Sequence, residues 1–100
     1  MAYKLIWAPS ARLDLKDIES YIAEASPQSS SRFIKSIFQN IEQLIDFPES
    51  GRIVPEFDDP CIRELIRKPC RIIYRVKSHE NIIEIVRIWH AARGLPQIKN

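Results

Sequence analysis

Glycine is nearly missing from this chain of 100 residues; only Gly51 and Gly94 are present. With so few positions free to take left-handed backbone, tight turns must be rare and the regular elements long. Cysteine is as sparse. Cys61 and Cys70 stand nine positions apart, without a second pair or a histidine at zinc-ligand spacing. That excludes a disulfide framework and a zinc module, and reads as two reduced, small hydrophobic residues. No uncharged apolar run is long enough to span a bilayer. The opening residues, MAYKLIWAP, lack the apolar core of a signal peptide, so a cytoplasmic protein is expected. A glycine-rich phosphate loop, a Ser-His-Asp series and metal-ligand spacing are all missing, so no metal and no cofactor is expected.

What is there suits one domain over residues 1–100, with 45% apolar and 28% charged residues. The net charge of +2 hides an uneven distribution. Residues 1–60 carry six Lys/Arg and ten Asp/Glu, a balance of −4; residues 61–100 carry nine and three, a balance of +6. Such asymmetry fits contact with a polyanion or an acidic partner, or else two halves that neutralise each other once folded.

Tyr3 to Trp7 reads as a short strand, and Ala8-Pro9-Ser10 starts a helix. In that helix Ala11, Leu15, Ile18, Ile22 and Ala25 form an apolar stripe, which leaves Asp14, Asp17, Glu19 and Glu24 as an expected solvated face. Ser26-Pro27 is an N-cap followed by a first-turn proline. The second helix carries a wider stripe, Phe33, Ile34, Ile37, Phe38, Ile41, Leu44 and Ile45, and should end near Phe47, before Pro48. Residues 47–52 are a turn, and 52–60, with Pro55 and Pro60, an extended loop. Ile62 to Arg67 suits a strand. Two β-branched runs, 72–76 and 82–89, flank the polar Ser78-His79-Glu80-Asn81 and write a β-hairpin. The expected fold is α+β: a small, mostly antiparallel sheet with a two-helix hairpin on one face, in the order β-α-α-β-β-β. The other face must be polar or covered.

The hairpin carries Arg71, Arg75 and Arg87 inside its strands, with His90 and Arg93 where the second strand runs out. Side chains alternate faces along a strand. If residue 77 opposes 83, Arg71, Arg75, Arg87 and Trp89 share the face away from the helices. If 77 opposes 82, Arg75 meets Glu84 and Arg87 is driven toward the core, where a lone guanidinium costs several kcal/mol. The first register is therefore expected. Three arginines so placed make a phosphate site, and His90 adds a group that can move a proton near neutral pH. Metal-free RNA cleavage fits that set, with arginines holding the developing charge and an acid protonating the leaving oxygen. A salt-bridged face, with Arg75–Glu84 as one bridge, is the competing reading.

Trp7-Ala8-Pro9-Ser10-Ala11, the Asp14-Leu15-Ile18-Tyr21-Ile22 pattern, the stretch from Phe47 to Glu56, Arg63-Glu64, Arg71 to Val76 and Val86 to Arg93 together resemble the RelE/ParE toxins of bacterial toxin–antitoxin modules. The resemblance covers nearly the whole chain. It implies a growth-arresting toxin neutralised by a cognate antitoxin, which would cover the groove beside the helices and reach the basic sheet face. A homodimer or a toxin–antitoxin heterotetramer would be in keeping. The family splits by target. One branch cuts mRNA in the ribosomal A site; there Arg71 and Arg87 match the phosphate-flanking arginines, and His90 is the nearest match to the proton donor. The other inhibits DNA gyrase, and His90-Ala91-Ala92-Arg93 and the stretch from Gly51 to Glu56 lean toward it. A third possibility is a homologue that binds its antitoxin and arrests nothing. Arg63, Lys68, Arg75 and Arg93 are the expected contacts to target or nucleic acid.

Overall fold

In the computed structural model, residues 3–94, 96 and 98 are described. β1 (Lys4–Trp7) leads into α1 (Pro9–Ala25) and α2 (Pro27–Asp46). Then follow β2 (Arg52–Ile53), β3 (Ile62–Arg67), β4 (Cys70–Lys77) and β5 (Ile82–His90). The sheet order is β1-β5-β4-β3-β2, with only the β1–β5 pair parallel. The expected α+β fold is therefore the one observed, with one addition: Arg52–Ile53, expected in a loop, forms a two-residue edge strand antiparallel to β3. Of the expected 1–100 span, residues 1, 2, 95, 97, 99 and 100 lie outside the described residues.

The local signals explain the helices. Ser26 ends α1 and caps α2, its hydroxyl accepting from the Ser29 amide at 3.2 Å, and Pro27 follows at the first helical position. One residue thus serves two helices, which forces them into an antiparallel pair. α2 ends at Asp46, ahead of Pro48. The main core lies between these helices and the sheet. Ile18 of α1 and Phe33, Ile37, Ile41 and Leu44 of α2 pack against Ile72, Tyr74, Val76, Ile83, Ile85 and Ile88. Each such aliphatic side chain contributes about 1.5–3 kcal/mol when fully buried. Cys70 sits in the same core, its thiol pushed up to about 11 by burial, as suits a packing residue. Cys61 is exposed and also free.

The opposite face is covered in part. The segment between β2 and β3 folds over it, so that Val54, Ile62, Ile73 and Trp89 form a second, smaller core with Phe57 against it. Tyr74 anchors the turn before β2. Its hydroxyl, buried under the turn, donates to the Pro48 carbonyl at 2.9 Å and accepts from the Gly51 amide at 3.0 Å. Arg63 donates to the carbonyls of Gly51 (2.9 Å) and Glu49 (3.3 Å) on the same turn.

The register of β4 and β5 differs from the one expected. Near the turn Lys77 opposes Ile82 and Arg75 opposes Glu84; after Tyr74–Ile85 the pairing shifts, and Ile73 opposes Arg87 and Arg71 opposes Trp89. The unpaired residue is Val86, a β-bulge. Its mark is that the carbonyls of both Ile85 and Val86 point to the same edge, accepting from Ala8 N and Ser10 Oγ, whereas successive carbonyls of a regular strand point to opposite edges. The bulge reconciles what alternation alone set in conflict. Arg75 meets Glu84, yet Arg87 still falls on the face of Ile73 and Trp89, away from the helices.

Gly51 is fixed by close approach: a Cβ there would lie 2.5 Å from the Glu64 carbonyl oxygen and 2.6 Å from the Tyr74 hydroxyl. Gly51→Ala is expected to destabilise the fold by about 2 kcal/mol or more through this clash, measured by urea unfolding. A midpoint equal to that of the wild type would contradict the packing described.

Candidate basic face and its carboxylates

Arg71, Arg75 and Arg87 do arise on the face away from the helices, and each is met by an acid of the same chain, Arg71 and Arg75 on that face and Arg87 at the edge of β5. Arg71 lies between β3 and the segment that follows β2. Its Nε donates to Glu64, whose side chain has no solvent exposure, and its two terminal nitrogens donate to the two oxygens of Glu56, both at 2.7 Å. Glu64 is shared: its other oxygen accepts from Arg52 Nε at 2.6 Å. Arg71 is held in its charged form by Glu56 and then Glu64. The same pairing draws the Glu56 carboxyl down to about 2. Arg75 bridges Glu84 at 3.3 Å, with Lys77 on the same carboxylate at 3.6 Å.

Arg87 turns the other way, to the free edge of β5. β1 is only four residues long, so β5 runs past it, and among the described residues no strand lies beside Val86–His90 on that side. The first turns of α1 satisfy that edge instead. Ser10 Oγ donates to the Val86 carbonyl (2.9 Å), and Asp14, one turn on, accepts from the Ile88 amide (3.1 Å). The Asp14 carboxylate is buried and also takes Arg87 through both oxygens, at 2.7 and 2.8 Å, and Arg93 at 3.2 Å. Arg87 is held charged by those bonds. Both guanidinium groups lie against the Trp89 ring, 4.7 and 4.4 Å from its centroid, while the indole N–H donates to the Gly94 carbonyl. The expectation that Asp14 belongs to a solvated face with Asp17 is thus corrected. A hydrophobic stripe places polar residues outside by default; it does not see a strand edge that needs an acceptor.

His90 is on the other face, opposite Cys70. Its Nδ1 accepts from the Ala92 amide at 3.1 Å, capping the short turn Ala91–Arg93, and its ring lines a cleft of about 400 Å³ with Ile18, Tyr21 and Ile88. Arg71, Arg87 and His90 therefore do not converge: the arginines reach to opposite sides of the Ile73–Trp89 cluster, and the imidazole lies behind the sheet. Of the other basic candidates, Lys68 is exposed in the β3–β4 turn, Arg93 is half exposed, and Arg63 and Arg75 are engaged as described. Among the described residues no group of His, Cys, Asp and Glu side chains could hold a metal ion, and no helix is long and apolar enough to cross a membrane.

Two outcomes follow from these pairs. Asp14→Ala leaves the Ile88 amide and two guanidinium groups without their acceptor and is expected to cost about 3 kcal/mol in urea unfolding; Asp17→Ala, exposed on the same helix, should change stability by less than about 0.5 kcal/mol. Equal effects would contradict the role given to Asp14. For Glu56 the folded carboxyl lies below its usual value of 4.5. Its stabilisation is therefore present above that value and lost as pH falls toward about 2. Acid unfolding of Glu56→Gln should be flatter over that window than that of the wild type, and an unchanged slope would contradict the pairing.

Comparison with known proteins places this geometry. The family described as "ParE toxin of type II toxin-antitoxin system, parDE" matches residues 5–95. No curated protein sequence matches significantly. Among solved structures, the chromosomal ParDE toxin–antitoxin system from P. aeruginosa is similar at 26% identity and a TM-score of 0.70, over 89% of this chain and 96% of that one. The toxin–antitoxin complex RelBE2 from Mycobacterium tuberculosis (18%, 0.60, 90% and 99%) shares the fold. So does a double-arginine mutant of E. coli toxin RelE in the free state (13%, 0.67, 94% and 88%). The chain belongs to the ParE family, toxins of type II toxin–antitoxin systems.

Proposed function

We propose that this toxin arrests growth by binding and inhibiting DNA gyrase, and that it does not cut RNA. The observation that carries the reading is the engagement of both phosphate-clamp candidates. RNA cleavage by an attacking 2′-hydroxyl needs donors already aimed at the reacting phosphate and an acid within reach of the leaving oxygen. Arg71 spends its Nε and both terminal nitrogens on Glu64 and Glu56, and Arg87 is forked onto Asp14. A phosphate that took Arg87 would strip a buried carboxylate of its main partner, which costs several kcal/mol. His90, the nearest match to a proton donor, lies behind the sheet. A protein-binding inhibitor needs none of this machinery. The likeness to the P. aeruginosa ParDE system and the match to the ParE family support the same choice.

On this reading Arg71, Arg87 and His90 are structural. Of the original set, Lys68 is exposed and pairs with no acid among the described residues, while Arg93 keeps half of its side chain exposed beside its pairing with Asp14. The protein is placed in the cytoplasm, where gyrase is, with the cognate antitoxin as its neutralising partner.

The test uses the purified toxin with gyrase, ATP and relaxed plasmid, and in parallel with translating ribosomes. Loss of supercoiling with accumulation of cleaved plasmid, and intact mRNA, is the expected result. Cleavage of mRNA in the ribosomal A site that disappears in a folded Arg71→Ala variant would overturn the proposal and restore the ribonuclease.

A further inference from the structure

The two carboxylates on Arg71 differ in kind. Glu64 is part of β3, wholly buried, and shared with Arg52. Glu56 belongs to the irregular segment between β2 and β3, keeps about a quarter of its side chain exposed (26%), and bonds no side chain among the described residues except Arg71. One acid therefore aims the guanidinium while the other fills its outer fork. A fork held from behind and filled from a loop is a ready-made carboxylate receptor.

We propose that Glu56 is an internal stand-in for an acidic side chain of the antitoxin, which displaces it from the Arg71 fork while Glu64 stays in place. The inference rests on the chain being a toxin with an antitoxin partner and adds which contact is exchanged. The exchange swaps one carboxylate for another, so the guanidinium is never left unpaired. The surroundings favour a peptide over a nucleic acid. With Glu56 gone, Arg52 and Arg71 against Glu64 leave a single positive charge, enough for one carboxylate. A nucleic acid strand brings successive phosphates and needs several open cations, whereas Arg75 and Lys77 share Glu84 and Arg87 is held by Asp14. Beside the fork lies an apolar contact: Ile66 opposes Arg71 across the β3–β4 pair, on the same face, and is half exposed. The segment that fits carries an acidic residue next to an apolar one.

Calorimetric titration of the toxin with its cognate antitoxin at pH 7 tests this. Removing the stand-in removes a competitor, so Glu56→Gln should bind the antitoxin about three- to tenfold more tightly than the wild type. The gain should vanish in Glu56→Gln/Arg71→Lys, which keeps the charge and loses the fork. Unchanged or weaker binding by Glu56→Gln, checked for folding by circular dichroism, would overturn the exchange, as would a gain that persists without Arg71. A single-stranded oligouridylate used as the second probe should gain nothing from Glu56→Gln; a gain there larger than for the antitoxin would overturn the choice of a peptide. Failure of the wild type itself to bind the antitoxin would instead sink the partner reading beneath the proposal.

Discussion

A strand that outruns its neighbour sets the terms for this molecule. β5 extends five residues past β1, and that length of edge lies beside the sheet's most cationic segment. An unpaired backbone amide and a largely buried guanidinium both require an acceptor. Asp14 supplies it for both, and for Arg93 as well. Because the acid comes from α1, the contact also ties the helix hairpin to the end of the sheet and fixes the turn that follows β5. On the far side of the Ile73–Trp89 cluster, Glu64 and Glu56 do the corresponding work for Arg71, and Glu64 holds Arg52 in place at the sheet edge.

The uneven charge along the chain has the same origin. The acidic half and the basic half meet across these pairs: Asp14 with Arg87 and Arg93, and Glu56 with Arg71. Part of the positive excess after residue 60 is thus offset inside the molecule by these two carboxylates. A face that reads as a phosphate clamp in one dimension becomes, in three, a set of closed ion pairs with one replaceable member. Under the proposed function, that distinction is what separates a toxin that acts by binding from one that acts by cleaving. It also locates the place where an acidic partner could enter without stranding a buried charge.

Much of this was legible from residue order. The helix boundaries followed from Ser26-Pro27 and Pro48, and the grouping of Arg71, Arg75 and Arg87 from the cost of burying an unpaired guanidinium, although by a register that holds only past the bulge. The resemblance to RelE/ParE toxins rested on short pieces in the right order. Other features were not legible. Alternation assumes an unbroken ladder, so it offered two registers where the bulge at Val86 uses both. The apolar stripe of α1 made Asp14 and Asp17 equivalent, and only the missing strand beside β5 tells them apart. The covering of the far face depends on Val54 and Phe57 reaching Trp89 from a proline-rich segment whose path no local pattern dictates. Glu64 offered one overlooked signal, a lone acid inside the otherwise apolar and basic strand β3.

The claim on which this account depends is that the arginines of the β4–β5 hairpin are already committed to carboxylates of their own chain. Nitrogen-15 NMR of the arginine Nε–H groups in the free toxin, during titration with inorganic phosphate, tests it most directly. The Arg71 and Arg87 signals should exchange slowly with water and hold their positions as phosphate is added. Rapid exchange, with both signals moving together as phosphate binds, would mean that the two groups are open to an anion and that the ion pairs described here do not hold them.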